Sequence, residues 1–170
     1  MNQAHFHLMV NHLPIIFPIV GTIVLFGGFM LRSEIIKRVA YTIFIFGAIA
    51  TFPAFLSGEG AEEVVENLAG VSESFIEPHE DIAKIFALLS YTLGAFSILA
   101  LWSNWQQKSF KGIVSMVVLI LSIVVLYFGK VTGTTGGEIR HTEIRANQAP
   151  GNQPLGVDAN STQEEEDEDL

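Results

Sequence analysis

The chain has 170 residues, a net charge of −9 and no cysteine, and 16% of its residues are charged. That charged fraction is well below the roughly 25% of an ordinary soluble domain. The mean hydropathy of +0.42 shows the same apolar excess. The acidic balance argues against nucleic-acid binding, which needs a basic surface. Without cysteine there is no disulfide, thiolate zinc site or iron–sulfur cluster, so any metal would need histidine and carboxylate ligands.

Four long apolar runs cover about residues 13–31, 39–56, 82–102 and 113–129. Each approaches the roughly 20 residues that an α-helix needs to cross a bilayer. Buried helices of a soluble bundle would carry polar faces, whereas these runs are apolar all round. We therefore predict an all-α integral membrane protein, with four transmembrane helices forming an antiparallel bundle within a domain at residues 1–144.

The basic residues predict how this bundle is oriented. Five of the nine lie in the two short loops, namely Arg32, Lys37, Arg38, Lys108 and Lys111. The long second loop, residues 57–81, has eight acidic residues and no Lys or Arg. The positive-inside rule then places the short loops in the cytoplasm and both termini outside it, in an inner or plasma membrane. No Lys or Arg precedes the first run, so we do not expect a cleaved signal peptide.

The segments between and after the runs have their own predictions. Residues 61–69 have helical periodicity and precede Gly70, which predicts a short interfacial helix. Pro78 is expected in the first turn of the third transmembrane helix, because proline suits that position. Residues 145–170 are rich in polar residues, Pro and Gly and end in EEEDEDL, which predicts a disordered acidic tail. Gly27, Gly28 and Gly47 should permit close helix approach.

All five histidines fall at the predicted outer ends of the helices, namely His5, His7, His12, His79 and His141. Neutral imidazole is a common ligand of transition metals and haem iron, so their shared side of the membrane favours a common site. Histidines at helix ends also serve as hydrogen-bonded interfacial side chains, and this alternative applies to each of the five. Glu59 and Glu80 flank the same ends and could orient an imidazole through its second nitrogen.

Three short motifs lie near these histidines: His7-Leu8-Met9-Val10-Asn11-His12-Leu13-Pro14, His79-Glu80 and Gly136-Gly137-Glu138-Ile139-Arg140-His141. Together they resemble the four-span membrane family catalogued as domain of unknown function 2231, over roughly residues 5–143. Leu8 stands where that family usually has proline, and His141 lies slightly nearer the glycine pair. The resemblance implies a four-helix membrane domain, found alone or joined to cytochrome-type modules, and therefore redox work.

These observations lead to one main hypothesis and two alternatives. The main one is electron transfer through haem b, with His12 and His79 as axial ligands and His7 and His141 in reserve. The first alternative is a copper or zinc site built from His5, His7, His12, His79 and Glu80. The second is a structural or scaffolding subunit without a cofactor, whose acidic loop and tail bind a partner. We expect the lipid bilayer and a redox or membrane-complex partner, and no enzymatic activity of its own.

Overall fold

The computed structural model describes residues 2–66, 68 and 71–145. These residues form five α-helices and one short 3-10 turn, and no strand. The helices are α1 (Gln3–Val10), α2 (Leu13–Met30), α3 (Glu34–Val65), α4 (Glu73–Trp105) and α5 (Lys111–Arg140), and the turn is Thr142–Ile144. Four helices are long and apolar enough to cross a membrane when α1 and α2 count as one. The predicted four-helix membrane bundle is confirmed. Of the predicted tail, the part beyond residue 145 lies outside the described residues.

The helices form a closed ring. α2 packs on α3, α3 on α4, α4 on α5, and α5 returns to α2. Because short connections join consecutive neighbours, each helix runs antiparallel to the next. α1 does not extend the ring but packs against α3. Consequently the N-terminal helix lies beside the end of α3 that is nearest the second loop.

Side-chain caps mark the helix starts. Asn2 accepts a hydrogen bond from the His5 amide at 2.9 Å and begins α1. Ser33 accepts one from the Ile36 amide at 3.4 Å and begins α3. Such caps satisfy backbone donors that the first helical turn leaves free. Between α1 and α2, Pro14 has no N–H to donate, so the helical ladder is interrupted there and the two helices can follow different directions.

α3 and α4 extend beyond the predicted spans. Residues 61–65 of the predicted separate helix 61–69 are instead the final part of α3, which continues to Val65, and residues 67 and 69 lie outside the described residues. Packing explains the continuation, because Gln3 of α1 lies against Gly60, where a Cβ atom would be 2.9 Å from the Gln3 Cγ. α4 begins at Glu73, well before Pro78. His79 thus lies in the second helical turn rather than the first.

The buried interior combines a few large side chains with many small ones. The largest fully buried apolar residues are Tyr41, Phe44, Leu25, Leu93, Val118 and Val125. Large apolar residues also cover the outside, and Ile23 and Ile113 are 68% and 71% exposed. An apolar surface of this extent suits hydrocarbon as the surrounding solvent. The arrangement agrees with a bundle that lies in a bilayer.

Two of the three glycines singled out in the sequence do allow close helix approach. A Cβ atom at Gly28 would lie 2.8 Å from the Lys37 Cγ, and one at Gly47 would lie 3.0 Å from the Phe17 Cβ. Gly27 faces open space instead. Small residues at such contacts let helix backbones pack closely where no hydrophobic effect drives association.

We call the end of the bundle that carries the five basic loop residues the basic end. A buried side-chain amide links two helices there. The Asn104 side chain is fully buried. Its oxygen accepts a hydrogen bond from Arg38 Nε at 2.6 Å, and its nitrogen donates to the carboxylate of Glu34. Lys37 pairs with the same carboxylate at 3.0 Å. This network links α3 to α4, pairs the charge of Glu34 with Lys37, and gives the Arg38 guanidinium a neutral amide as its acceptor.

Candidate histidine site

The opposite end of the bundle carries all five histidines, and we call it the histidine end. α1, the last turns of α3, the first turns of α4 and the last turns of α5 meet there. The prediction that the histidines share one end agrees with this topology. Their surroundings differ, however, because His7 and His79 are partly buried while His5, His12 and His141 are exposed.

His7 connects α1 to α3 through one ring nitrogen. Its Nδ1 lies 3.1 Å from the carbonyl oxygen of Ala54 and 2.9 Å from the hydroxyl of Ser57. The Ser57 hydroxyl itself donates to the Ala54 carbonyl at 3.0 Å. Because a carbonyl only accepts and the hydroxyl proton is already used, Nδ1 must be the protonated nitrogen. The neutral ring then presents its lone pair at Nε2.

His79 makes the corresponding contact between α4 and α5. Its Nδ1 lies 3.1 Å from the Thr135 hydroxyl. The Thr135 hydroxyl donates to the carbonyls of Val131 and Thr132 at 3.1 and 3.2 Å. When the Thr135 hydroxyl donates to these carbonyls it accepts from the Nδ1–H of His79, and in that tautomer the lone pair of the ring is at Nε2.

A glycine makes room for the His79 ring. A Cβ atom at Gly136 would lie 2.9 Å from Cε1 and 3.2 Å from Nδ1 of that ring. The imidazole thus packs directly on the backbone of α5. Gly136 belongs to the glycine pair noted in the sequence, and its role in the structure is to admit a side chain from the neighbouring helix.

His7 has an electrostatic interaction with two other histidines, His12 and His79. His12 precedes α2 and makes no side-chain cap hydrogen bond. His79 is thus coupled to His7, a residue that the sequence analysis held in reserve as a ligand.

Two of the other predicted ligands, His141 and Glu80, are paired with other residues. His141 is paired through Nδ1 with Glu143 at 2.8 Å. A backbone hydrogen bond within Glu143 and the bond from His141 lower the pKa of this carboxyl. Glu80 is paired with Lys84 at 3.3 Å. Among the described residues, no group of three or more His, Asp or Glu could hold a metal ion.

The groups that orient the two rings were not predicted from the sequence. We expected carboxylates such as Glu59 or Glu80, whereas a carbonyl and two hydroxyls perform this role. Ser57 and Thr135 belong to types that are common in transmembrane helices, where their hydroxyls usually bond to the preceding turn. Nothing in their local sequence distinguishes them, so only packing identifies them.

The donor chemistry of the two rings fits a haem iron. Each ring is held in place by a hydrogen bond at Nδ1, and its second nitrogen, Nε2, is not used in that bond. Histidines that bind metals share this arrangement, in which the second nitrogen donates to a backbone or side-chain oxygen.

Comparison with known proteins found no match to this chain among family models, curated proteins or solved structures. The resemblance to domain of unknown function 2231 stays a prediction that rests on the three short motifs.

Proposed function

We propose that this protein is an electron-transfer component of a membrane, which binds haem b through His7 and His79. One observation carries the proposal. Two partly buried imidazoles on different helices each have Nδ1 within 3.1 Å of an oxygen atom, which leaves Nε2 as the nitrogen that would bind a ligand. His7 and His79 would hold the haem through these nitrogens, and the haem, when bound, would supply one-electron chemistry.

The other residues of the site have supporting roles in this proposal. Ala54 and Ser57 hold the ring of His7, and Thr135 holds that of His79. Such partners fix the tautomer and raise the basicity of an axial ligand, which affects the reduction potential. In this proposal His7 takes the place of His12, the ligand expected from the sequence.

We further propose that the histidine end faces away from the cytoplasm in an inner or plasma membrane. Arg32, Lys37, Arg38, Lys108 and Lys111 all lie at the basic end, in or beside its two short turns. The positive-inside rule places such turns in the cytoplasm. A redox partner or another membrane subunit would then meet the site from the outer side.

A second candidate function is a structural subunit without a cofactor. The same hydrogen bonds favour it, because His7 fastens α1 to α3 and His79 fastens α4 to α5. Two surface grooves are present, one lined in part by Ile19 and the other in part by Phe52. The rings of His7 and His79 line neither of them. On this alternative the acidic second loop would bind the partner.

The visible spectrum of the detergent-purified chain, as isolated and after dithionite reduction, tests both candidates. Binding of haem b predicts an intense Soret band that sharpens on reduction. His7→Ala and His79→Ala should each abolish it in protein that remains monodisperse. His5→Ala is the matched control, since His5 is exposed on the same helix as His7, and it should leave the spectrum unchanged.

The alternatives give different spectra. If His12→Ala removes the band and His7→Ala does not, the axial pair is the one predicted from the sequence. A folded protein without a Soret band, produced with adequate haem supply, would overturn the haem proposal and favour the structural candidate.

A further inference from the structure

An apolar groove opens on the outer surface of the bundle where α2 meets α5. These helices make the least extensive of the four contacts around the ring. The groove has a volume of about 100 Å³, and its lining includes Ile15, Pro18, Ile19, Phe86, Gly129 and Lys130. Gly129 has no side chain to fill it, and the Phe86 ring lies behind, 3.2 Å from where a Cβ atom would stand. Three helices therefore build this groove.

Lys130 supplies the charge in the lining. It is the first charged residue of α5 after Lys111, so it ends the uncharged stretch 112–129 that crosses the hydrocarbon. Lysines at such positions extend their ammonium towards the lipid headgroups. Among the described residues, the Lys130 ammonium has no ion pair, whereas Lys84 at the same end is paired with Glu80 and Asp81.

We infer that this groove binds one anionic phospholipid, with its phosphate on Lys130 and part of an acyl chain along Ile15, Ile19 and Gly129. The charge of Lys130 complements the phosphate, and the depth of this lysine at the end of the apolar stretch matches the headgroup level. The apolar lining on the bilayer side of Lys130 matches the start of an acyl chain. The inference does not depend on haem at His7 or His79.

The lining distinguishes this ligand from other membrane compounds. A quinone ring has two carbonyls that require hydrogen-bond donors, but Lys130 is the only polar side chain among the lining residues. A lipid without net negative charge would lose most of the electrostatic attraction of the ammonium. A ligand with a negatively charged headgroup and a hydrocarbon tail complements both the Lys130 ammonium and the apolar lining of the groove.

Native mass spectrometry of the full chain, released from nanodiscs of mixed phosphatidylglycerol and phosphatidylcholine, tests the inference. We expect one phosphatidylglycerol to be retained in preference to phosphatidylcholine. Lys130→Gln should lower the retained phosphatidylglycerol about fivefold, as expected for one lysine near an anionic lipid surface. Lys84→Gln is the matched control and should change the retention little.

A second pair of variants tests the groove itself. Ile19→Trp should fill it and reduce retention, and Ile23→Trp should not, because Ile23 lies one turn further along α2 on the exposed surface. Helical circular dichroism and size-exclusion profiles establish that each variant is folded. Lys130→Gln changes an exposed side chain, so the inference can be tested even if a tryptophan variant fails to fold.

Three results would overturn the inference. The first is equal retention of the two lipids, and the second is unchanged retention in Lys130→Gln. The third is a quinone in place of the phospholipid after extraction from cells. Loss of the Soret band in His79→Ala with unchanged lipid retention would show that the two sites are separate, as proposed.

Discussion

The imidazole of His79 rests on Gly136 so closely that a Cβ atom there would lie 2.9 Å from its Cε1 atom. About one turn earlier in α5, Gly133 faces α2 instead, where a Cβ atom would meet only the Ile15 Cδ1, at 3.7 Å. The first distance is shorter than van der Waals contact and the second is ordinary. The position of the His79 ring thus depends on a hydrogen atom in place of a side chain at residue 136.

Gly136→Ala should displace the His79 ring from Thr135 and destabilise the protein by about 1–3 kcal/mol, because an added methyl group must push the ring aside. Thermal unfolding in detergent measures this, and any Soret band should weaken in parallel. Gly133→Ala is the control, and its unfolding temperature should be close to that of the unsubstituted protein. Equal unfolding temperatures for both variants would show that the His79 ring can move aside without loss of stability.

Thr135→Val should leave the Nδ1–H of His79 without its hydroxyl acceptor and lower the free energy of unfolding by about 1 kcal/mol. Thr135→Ser keeps the hydroxyl and should restore most of the loss. Thr134→Val is the matched control, since its exposed hydroxyl donates only to the Lys130 carbonyl of its own helix. If Thr134→Val costs as much as Thr135→Val, the contact with His79 is not the cause.

Asn104→Leu should destabilise the basic end by about 2 kcal/mol, because the bonds from Arg38 and to Glu34 are both lost and each involves a charged group. Chemical denaturation of the detergent-solubilised protein measures the loss. Gln106→Leu, at an exposed neighbouring position, should have little effect. An Asn104→Leu protein as stable as the unsubstituted one would show that water replaces these bonds.

Gly94→Ala should destabilise the contact between α3 and α4 by about 1–3 kcal/mol. A Cβ atom there would lie 2.5 Å from the Ala48 Cβ, so the two helices must separate. Gly27→Ala meets nothing within 4 Å and should be neutral or stabilise α2 by up to about 1 kcal/mol through helix propensity. The unfolding temperature should therefore fall in Gly94→Ala and stay unchanged or rise in Gly27→Ala. An equal fall in both variants would contradict the packing.

The number of helices and their membrane character followed from composition and run length. The helix ends did not follow, since α3 continues to Val65 past Gly58 and Gly60, which alone would favour an end. α1 packs against that extension, and the position of α1 depends on the interruption near Pro14. The sequence also indicated Gly27 as a contact residue and missed Gly94, because periodicity does not show which neighbour a helix face meets.

The sequence by itself determined that this protein has four membrane-length helices and that its five histidines share one end. Hydrophobic run length and the alternating direction of consecutive helices are enough for both conclusions. Only the tertiary structure decided which histidines are held by hydrogen bonds to a neighbouring helix. His7 binds Ser57, which is 50 residues away, and His79 binds Thr135, which is 56 residues away. Such contacts depend on the rotation of each helix about its own axis, and side-chain packing between helices sets that rotation.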